Sequence, residues 1–107
     1  MNRGERRALA HYVVRGYRIL GWNQWVGGNE LDLVVRRGRR LVFCEVKEKR
    51  GDRYGDPLEM VGPEKQRRVR RAAEAWLAAH PEHRGLTMSF EVVGVRPGRV
   101  KRVRRAF

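Results

Sequence analysis

Hydrophobic positions along this chain switch between two periods. From Arg3 to Arg15 they recur at helical spacing: Glu5, Ala8, Leu9 and Tyr12 share one stripe, Val13 lies beside it, and Arg3, Arg7 and Arg15 fall off it. Gly16 is a suitable stop for that helix. Tyr17 to Trp22 reads as a strand that can continue through Trp25-Val26 before Gly27-Gly28-Asn29 breaks it. A second strand is expected from Glu30 to Arg36 and a third from about Leu41 to Glu48, either side of a short basic turn. Beyond the polar loop Lys49 to Pro57, a second helix is expected from about Pro63 to Ala79. Val69, Ala72, Ala73, Trp76 and His80 form its inner face; Arg67, Arg70 and Arg71 project oppositely, and Lys65 falls near the inner stripe at the N-terminal end. Ser89 to Val95 supplies a last strand, parallel to the third if the crossover is right-handed. Pro97-Gly98 then turns the chain into Arg99–Arg105, either a frayed basic arm or an edge strand with charged outward positions. The order α-β-β-β-α-β describes an α/β chain with a mixed central β-sheet flanked by helices.

Charges interrupt this pattern where it is most apolar. Leu41, Phe43, Glu45 and Lys47 share one face of the third strand, and Val42, Cys44 and Val46 share the other, so the strand is covered on both sides. A hairpin turning at Gly38-Arg39, with glycine first as a type II′ turn prefers, places Asp32 opposite Glu45. Directly opposed side chains have Cβ atoms roughly 4.5–5.5 Å apart. Two carboxylates that close repel unless one is protonated or a cation lies between them. A hard divalent ion, magnesium above all, resolves the conflict. An ion pair with Lys47 would neutralise one carboxylate and leave the other unpartnered. Glu5 is a third acid on an apolar stripe, although a helix dipole alone favours glutamate in a first turn.

Bulk properties narrow the partners. The 107 residues are expected to form one domain over 1–107, ending in a basic segment at about 99–107. Lys and Arg number 25 against 12 acids, a net charge of +13, which suits a polyanion: nucleic acid first, a membrane surface second. Arginine-rich surfaces also arise where ion-pair networks are favoured, but +13 is far from self-neutralising. No apolar run approaches the roughly 20 residues of a membrane span, and the charged N-terminus lacks a signal core, so the expectation is a cytoplasmic protein with no membrane partner. A single cysteine, Cys44, excludes an internal disulfide and a cysteine zinc cage and reads as a small buried hydrophobe. His80-Pro81-Glu82-His83 offers two imidazoles without further ligands, and His11 belongs to solvent or the core edge. Trp22 and Trp25 have three readings: base stacking, core packing or a dimer contact. Neither a serine or cysteine nucleophile constellation nor a phosphate-cradling glycine motif occurs.

An acid, a turn, then Glu45-Val46-Lys47 on a strand resembles the D-x(n)-E-x-K signature of restriction-endonuclease-like nucleases. Gly4-Glu5, Gly16-Tyr17-Arg18-Ile19-Leu20, Glu30-Leu31-Asp32-Leu33-Val34, Leu41 to Lys47, Tyr54-Gly55, Lys65 and Phe90-Glu91-Val92-Val93 together resemble the uncharacterised bacterial YraN-type family across almost the whole chain. Asn29, where that family usually has glycine, and Glu91, where aspartate is usual, depart from it without touching the proposed ligands. The family is similar in fold to archaeal Holliday-junction resolvases, dimeric magnesium-dependent nucleases.

The resemblance implies a restriction-endonuclease-like fold, a homodimer, and Mg²⁺ or Mn²⁺ held by Asp32, Glu45 and Glu5. Lys47 would be the catalytic lysine. In a nuclease, Lys65, Arg50, Arg53 and Arg68 are the candidate grips for phosphates, against a merely solvated surface as the other reading of these cations. The expected activity is metal-dependent endonucleolytic hydrolysis of DNA phosphodiester bonds, branched or junction DNA included. The alternative is a non-catalytic nucleic-acid-binding module that keeps the fold.

Overall fold

A computed structural model of the chain describes residues 1–48 and 61–107. The elements run α1 (Arg3–Val13), β1 (Arg18–Val26), β2 (Asn29–Arg37), β3 (Arg40–Glu48), α2 (Pro63–Ala79), a short 3₁₀ turn (Pro81–His83), β4 (Thr87–Arg96) and β5 (Arg99–Val103). The five strands form one mixed sheet in the order β1-β2-β3-β4-β5. Among the described residues only the β3–β4 pair is parallel, as a crossover through α2 requires. The basic tail resolves as an edge strand: Arg99–Val103 pairs antiparallel with β4, giving a final β that the order read from the sequence left open.

Two cores sandwich the sheet. On one face Ala8 and Tyr12 of α1 pack against Leu33, Val35, Val42, Cys44, Val93 and Val95. On the other, Val69, Ala72, Ala73 and Trp76 of α2 pack against Val34, Leu41, Phe43 and Phe90. The alternation of β3 therefore splits between the cores as its two apolar faces predict. Arg70 is not simply solvated. Its guanidinium lies 5.0 Å over the Phe90 ring and 5.5 Å over that of Phe107, which itself stacks on Phe90.

Turn chemistry sets the register. Gly38 has φ +59° at the first position of the β2–β3 turn, and the pairs Arg37↔Arg40, Val35↔Val42 and Leu33↔Cys44 follow from it. Gly27 and Gly28 both have positive φ in the β1–β2 turn, as a type I′ hairpin demands. A Cβ at Gly27 would also lie 3.0 Å from the Ala72 Cα, so the hairpin tip presses directly onto the backbone of α2. α1 starts at a capping box: the Asn2 side chain accepts from the Glu5 N–H at 2.8 Å, and Glu5 Oε1 accepts from the Asn2 N–H at 2.9 Å. It ends at Val13, two residues earlier than the periodicity alone indicates, and Gly16 takes the left-handed position beyond.

Candidate active site

The acidic residues gather where the β2–β3 ladder stops being regular. Direct pairing is continuous from Arg37↔Arg40 to Leu33↔Cys44, and the next opposed residues are Asp32 and Glu45. Here Asp32 Oδ2 accepts from the Val46 N–H at 2.8 Å, so a side chain takes over a bond that a backbone carbonyl would otherwise make. On the other side of β2, Asn23 adopts φ +49° and falls opposite Asp32, between the pairs Trp22↔Leu33 and Gln24↔Leu31. Leu33 belongs to the core under α1, whereas Leu31 belongs to the core under α2. The alternation of β2 is therefore broken at Asp32, which stands between the two faces.

From that position Asp32 meets acids from both. One carboxylate oxygen each from Glu5, Glu30 and Asp32 lie within 4.8 Å of one another. Glu5 comes from the third position of α1, Glu30 from the start of β2. Glu45, on the α2 side, is 4% exposed and is flanked by Lys47 Nζ at 3.8 Å and Lys65 Nζ at 3.6 Å, both on Oε1. Lys65 Nζ also donates to Asn29 Oδ1 at 3.4 Å. Among the described residues, four carboxylates thus face two ammonium groups, a local excess of negative charge in a chain of net +13.

The protons respond accordingly. Burial, reinforced by the neighbouring Asp32, pushes the Glu45 carboxyl up to about 7 despite both lysines. Asp32 is also raised, first by burial and then by the charges of Glu5 and Glu30; the Val46 N–H and Lys65 oppose the shift. Carboxylates held this close and half-desolvated are suited to sharing a proton or to coordinating a hard cation.

Of the residues singled out in the sequence, Glu5 and Asp32 come together in the acidic group, Glu45 adjoins Asp32, and Lys47 and Lys65 converge on Glu45. Glu30 joins them unassigned; its only signal is its place in Glu30-Leu31-Asp32, and regular alternation would give it no more than a position beside Asp32 on the strand surface. Arg68 stands on the exposed side of α2, 4.0 Å from Glu64. Arg50 and Arg53 lie outside the described residues. A cleft of about 740 Å³ at the N-terminus of α1 is lined by Arg3, Arg7, Glu48 and Arg96 among others.

The remaining candidates separate cleanly. His80 stacks on Trp76 at 4.0 Å between ring centres and His83 lies 5.6 Å from the same ring, so both imidazoles are packing partners of the buried indole. Cys44 is buried, its thiol pushed up by desolvation, as an inert core residue should be. His11 packs edge-on against Tyr12, with its Nε2 buried and without a hydrogen-bond partner. Trp22 and Trp25 are 53% and 74% exposed, which excludes core packing for both.

A second polar cluster, unforeseen in the sequence, lies on the α1 face. Glu91 is fully buried and accepts from Arg102 Nε at 2.6 Å and Nη2 at 3.1 Å, and from Tyr12 Oη at 2.7 Å. Arg102 Nη2 also donates to Tyr17 Oη at 3.0 Å, and the guanidinium lies over the rings of Tyr12 and Tyr17.

Comparison with known proteins finds relatives along almost the whole chain. A UPF0102 protein of Frankia casuarinae is 44% identical over 109 aligned positions, covering 97% of this chain and 92% of its own length. One from Alkalilimnicola ehrlichii is 40% identical over 99% of this chain and 84% of its own length, and one from Nitrobacter winogradskyi is 40% identical over 92% and 81%. The model of the uncharacterised protein family UPF0102 matches residues 4–95, a span that takes in every described member of the acidic cluster and both lysines, and the chain belongs to that family.

Proposed function

We propose that the protein is a metal-dependent endonuclease that hydrolyses phosphodiester bonds in DNA, branched or junction DNA included. The observation that carries this reading is the convergence of Glu5, Glu30 and Asp32 within 4.8 Å, with Glu45, Lys47 and Lys65 alongside. The donor set fits a divalent ion: all ligands are hard oxygens, and burial leaves them with more negative charge than the two lysines neutralise. Bound there, magnesium or manganese would supply a positive centre that polarises a phosphoryl oxygen and lowers the pKa of water.

The chain's own groups divide the remaining work. Asp32, anchored by the Val46 N–H, is the fixed element of the site and presents its carboxylate at a defined orientation. With no cation bound, Glu45 is poised near neutrality and can hold or release a proton at its Oε atoms, and a bound cation would favour its charged form. Lys47 is about one-third exposed at the strand end, free to orient an attacking water or to meet charge developing on the phosphate. Lys65 sits at the start of α2, and the arginines of the adjoining cleft offer grips for flanking phosphates.

The test is a panel of linear, flapped and four-way DNA and RNA, incubated with magnesium or manganese. Wild type is expected to cleave, and Asp32→Asn, Glu45→Gln and Lys47→Met are each expected to lose at least ~100-fold in rate while still binding. Binding without turnover under every condition would instead establish the non-catalytic nucleic-acid-binding module. Cleavage surviving in all three variants would remove the reaction from this site.

A further inference from the structure

β1 is an edge strand, and it carries two of the most exposed large apolar side chains of the chain, Trp22 and Trp25. Their arrangement follows from the irregularity at Asn23. Directly paired residues on neighbouring strands share a face. Trp22 pairs with Leu33, which belongs to the core under α1, so Trp22 is on the α1 face. Gln24 is turned to the opposite face, where its Oε1 accepts from Trp76 Nε1 at 2.8 Å. Trp25, the next residue, returns to the α1 face opposite Glu30. In a regular strand residues three apart point to opposite sides. The left-handed Asn23, a conformation that few residues other than glycine adopt, puts both indoles on one side.

That side is the one on which the acidic group opens. Glu30, the direct partner of Trp25, is one of its three members, and Asn23 itself lies opposite Asp32. Arg6, exposed on α1, follows Glu5 directly in the chain. The surface therefore combines flat aromatic rings, positive charge and direct continuity with the carboxylates.

We infer that Trp22 and Trp25 form a stacking platform for unpaired bases, so that the substrate of the adjoining acidic site is nucleic acid with a single-stranded segment next to the scissile phosphate. This rests on the phosphodiesterase reading above and specifies its substrate. Every base has a π face on which an indole can stack, and an unpaired base exposes it where a duplex hides it. Charge selects this occupant over a second copy of the chain. Two units of +13 repel, whereas a polyanion is attracted to each of them.

Binding is the readout, measured in EDTA so that no turnover is required. Fluorescence anisotropy at one fixed salt concentration compares a labelled single-stranded oligodeoxynucleotide with a blunt duplex of the same sequence. Wild type is expected to favour the single strand. Trp25→Ala and Trp22→Ala are each expected to weaken single-strand binding at least about 5-fold, with duplex binding unchanged and Trp25→Phe retaining most of the affinity. Both tryptophans are exposed, so the alanine variants should fold, and circular dichroism verifies this.

Equal losses for single strand and duplex, or no loss for either, would overturn the proposal. So would a wild-type dimer in sedimentation that the alanine variants convert to monomer, because the platform would then be a self-association surface. A protein that shows tryptophan-dependent single-strand binding yet never cleaves would retain the platform and lose the endonuclease reading.

Discussion

Two clusters of charge sit on the same sheet and are built on opposite principles. Around Glu91 every charge is answered: a two-point guanidinium–carboxylate contact at 2.6 and 3.1 Å, two tyrosine hydroxyls, and side chains only 0% and 5% exposed. Around Asp32 the acids outnumber the lysines, the ion pairs are loose at 3.6–3.8 Å, and the Asp32 and Glu45 carboxyls are driven toward protonation. The first cluster satisfies its own desolvation and holds β5 and α1 onto β4. Among the described residues the second keeps an electrostatic deficit that a proton or an added cation can fill. A fold that can pair a buried glutamate so completely at one place is not short of arginine for the other, which marks the deficit as a property of the site.

The contrast can be broken most severely at Arg102. Arg102→Met should destabilise the protein by about 3–5 kcal/mol in urea unfolding, because it strands the Glu91 carboxylate in the core. The double variant Glu91→Leu/Arg102→Met should recover most of that loss, since apolar replacement of a whole buried pair is close to neutral.

Glu45 gives the next effect, and its sign is opposite. Its carboxyl titrates near 7 when folded and at its ordinary 4.5 when exposed, so between those values the folded protein retains a proton that the unfolded chain has released. Its favourable contribution is complete below about 4.5 and disappears as pH rises through about 7. Raising the pH across that window without divalent ions should therefore shift stability toward Glu45→Gln, relative to wild type, by up to about 3 kcal/mol. Added magnesium should narrow the difference. Tyr17→Phe is the smallest test, removing one hydrogen bond from a guanidinium that keeps its carboxylate, for a loss of about 1 kcal/mol.

The sequence discloses these regions unequally, for physical reasons. Asp32 facing Glu45 is legible because Gly38 dictates the turn and the turn dictates the register; Leu33↔Cys44 and its neighbours follow that register. Pro63 and the Val69/Trp76 stripe likewise mark α2 from end to end. Glu30 escapes because regular alternation would keep it with Asp32 on the α2 face, away from Glu5, and the left-handed Asn23 opposite Asp32, where that alternation breaks, leaves no periodic trace. The Glu91–Arg102 pair escapes for a different reason. It exists only once Arg99–Val103 is an edge strand with Val93 opposite Arg102, and a run of arginine and valine fits a solvated arm equally well.

Glu5 carries a consequence of its own. One of its oxygens already accepts from the Asn2 amide in the capping box, while the carboxylate also belongs to the acidic group, so one side chain serves both the helix start and the site. A glutamine at that position would still close the helix start while removing the formal charge. The scaffold and the anion are thus separable at one atom's cost, and Glu5→Gln is the substitution that tells whether selection holds this residue for its helix or for its charge.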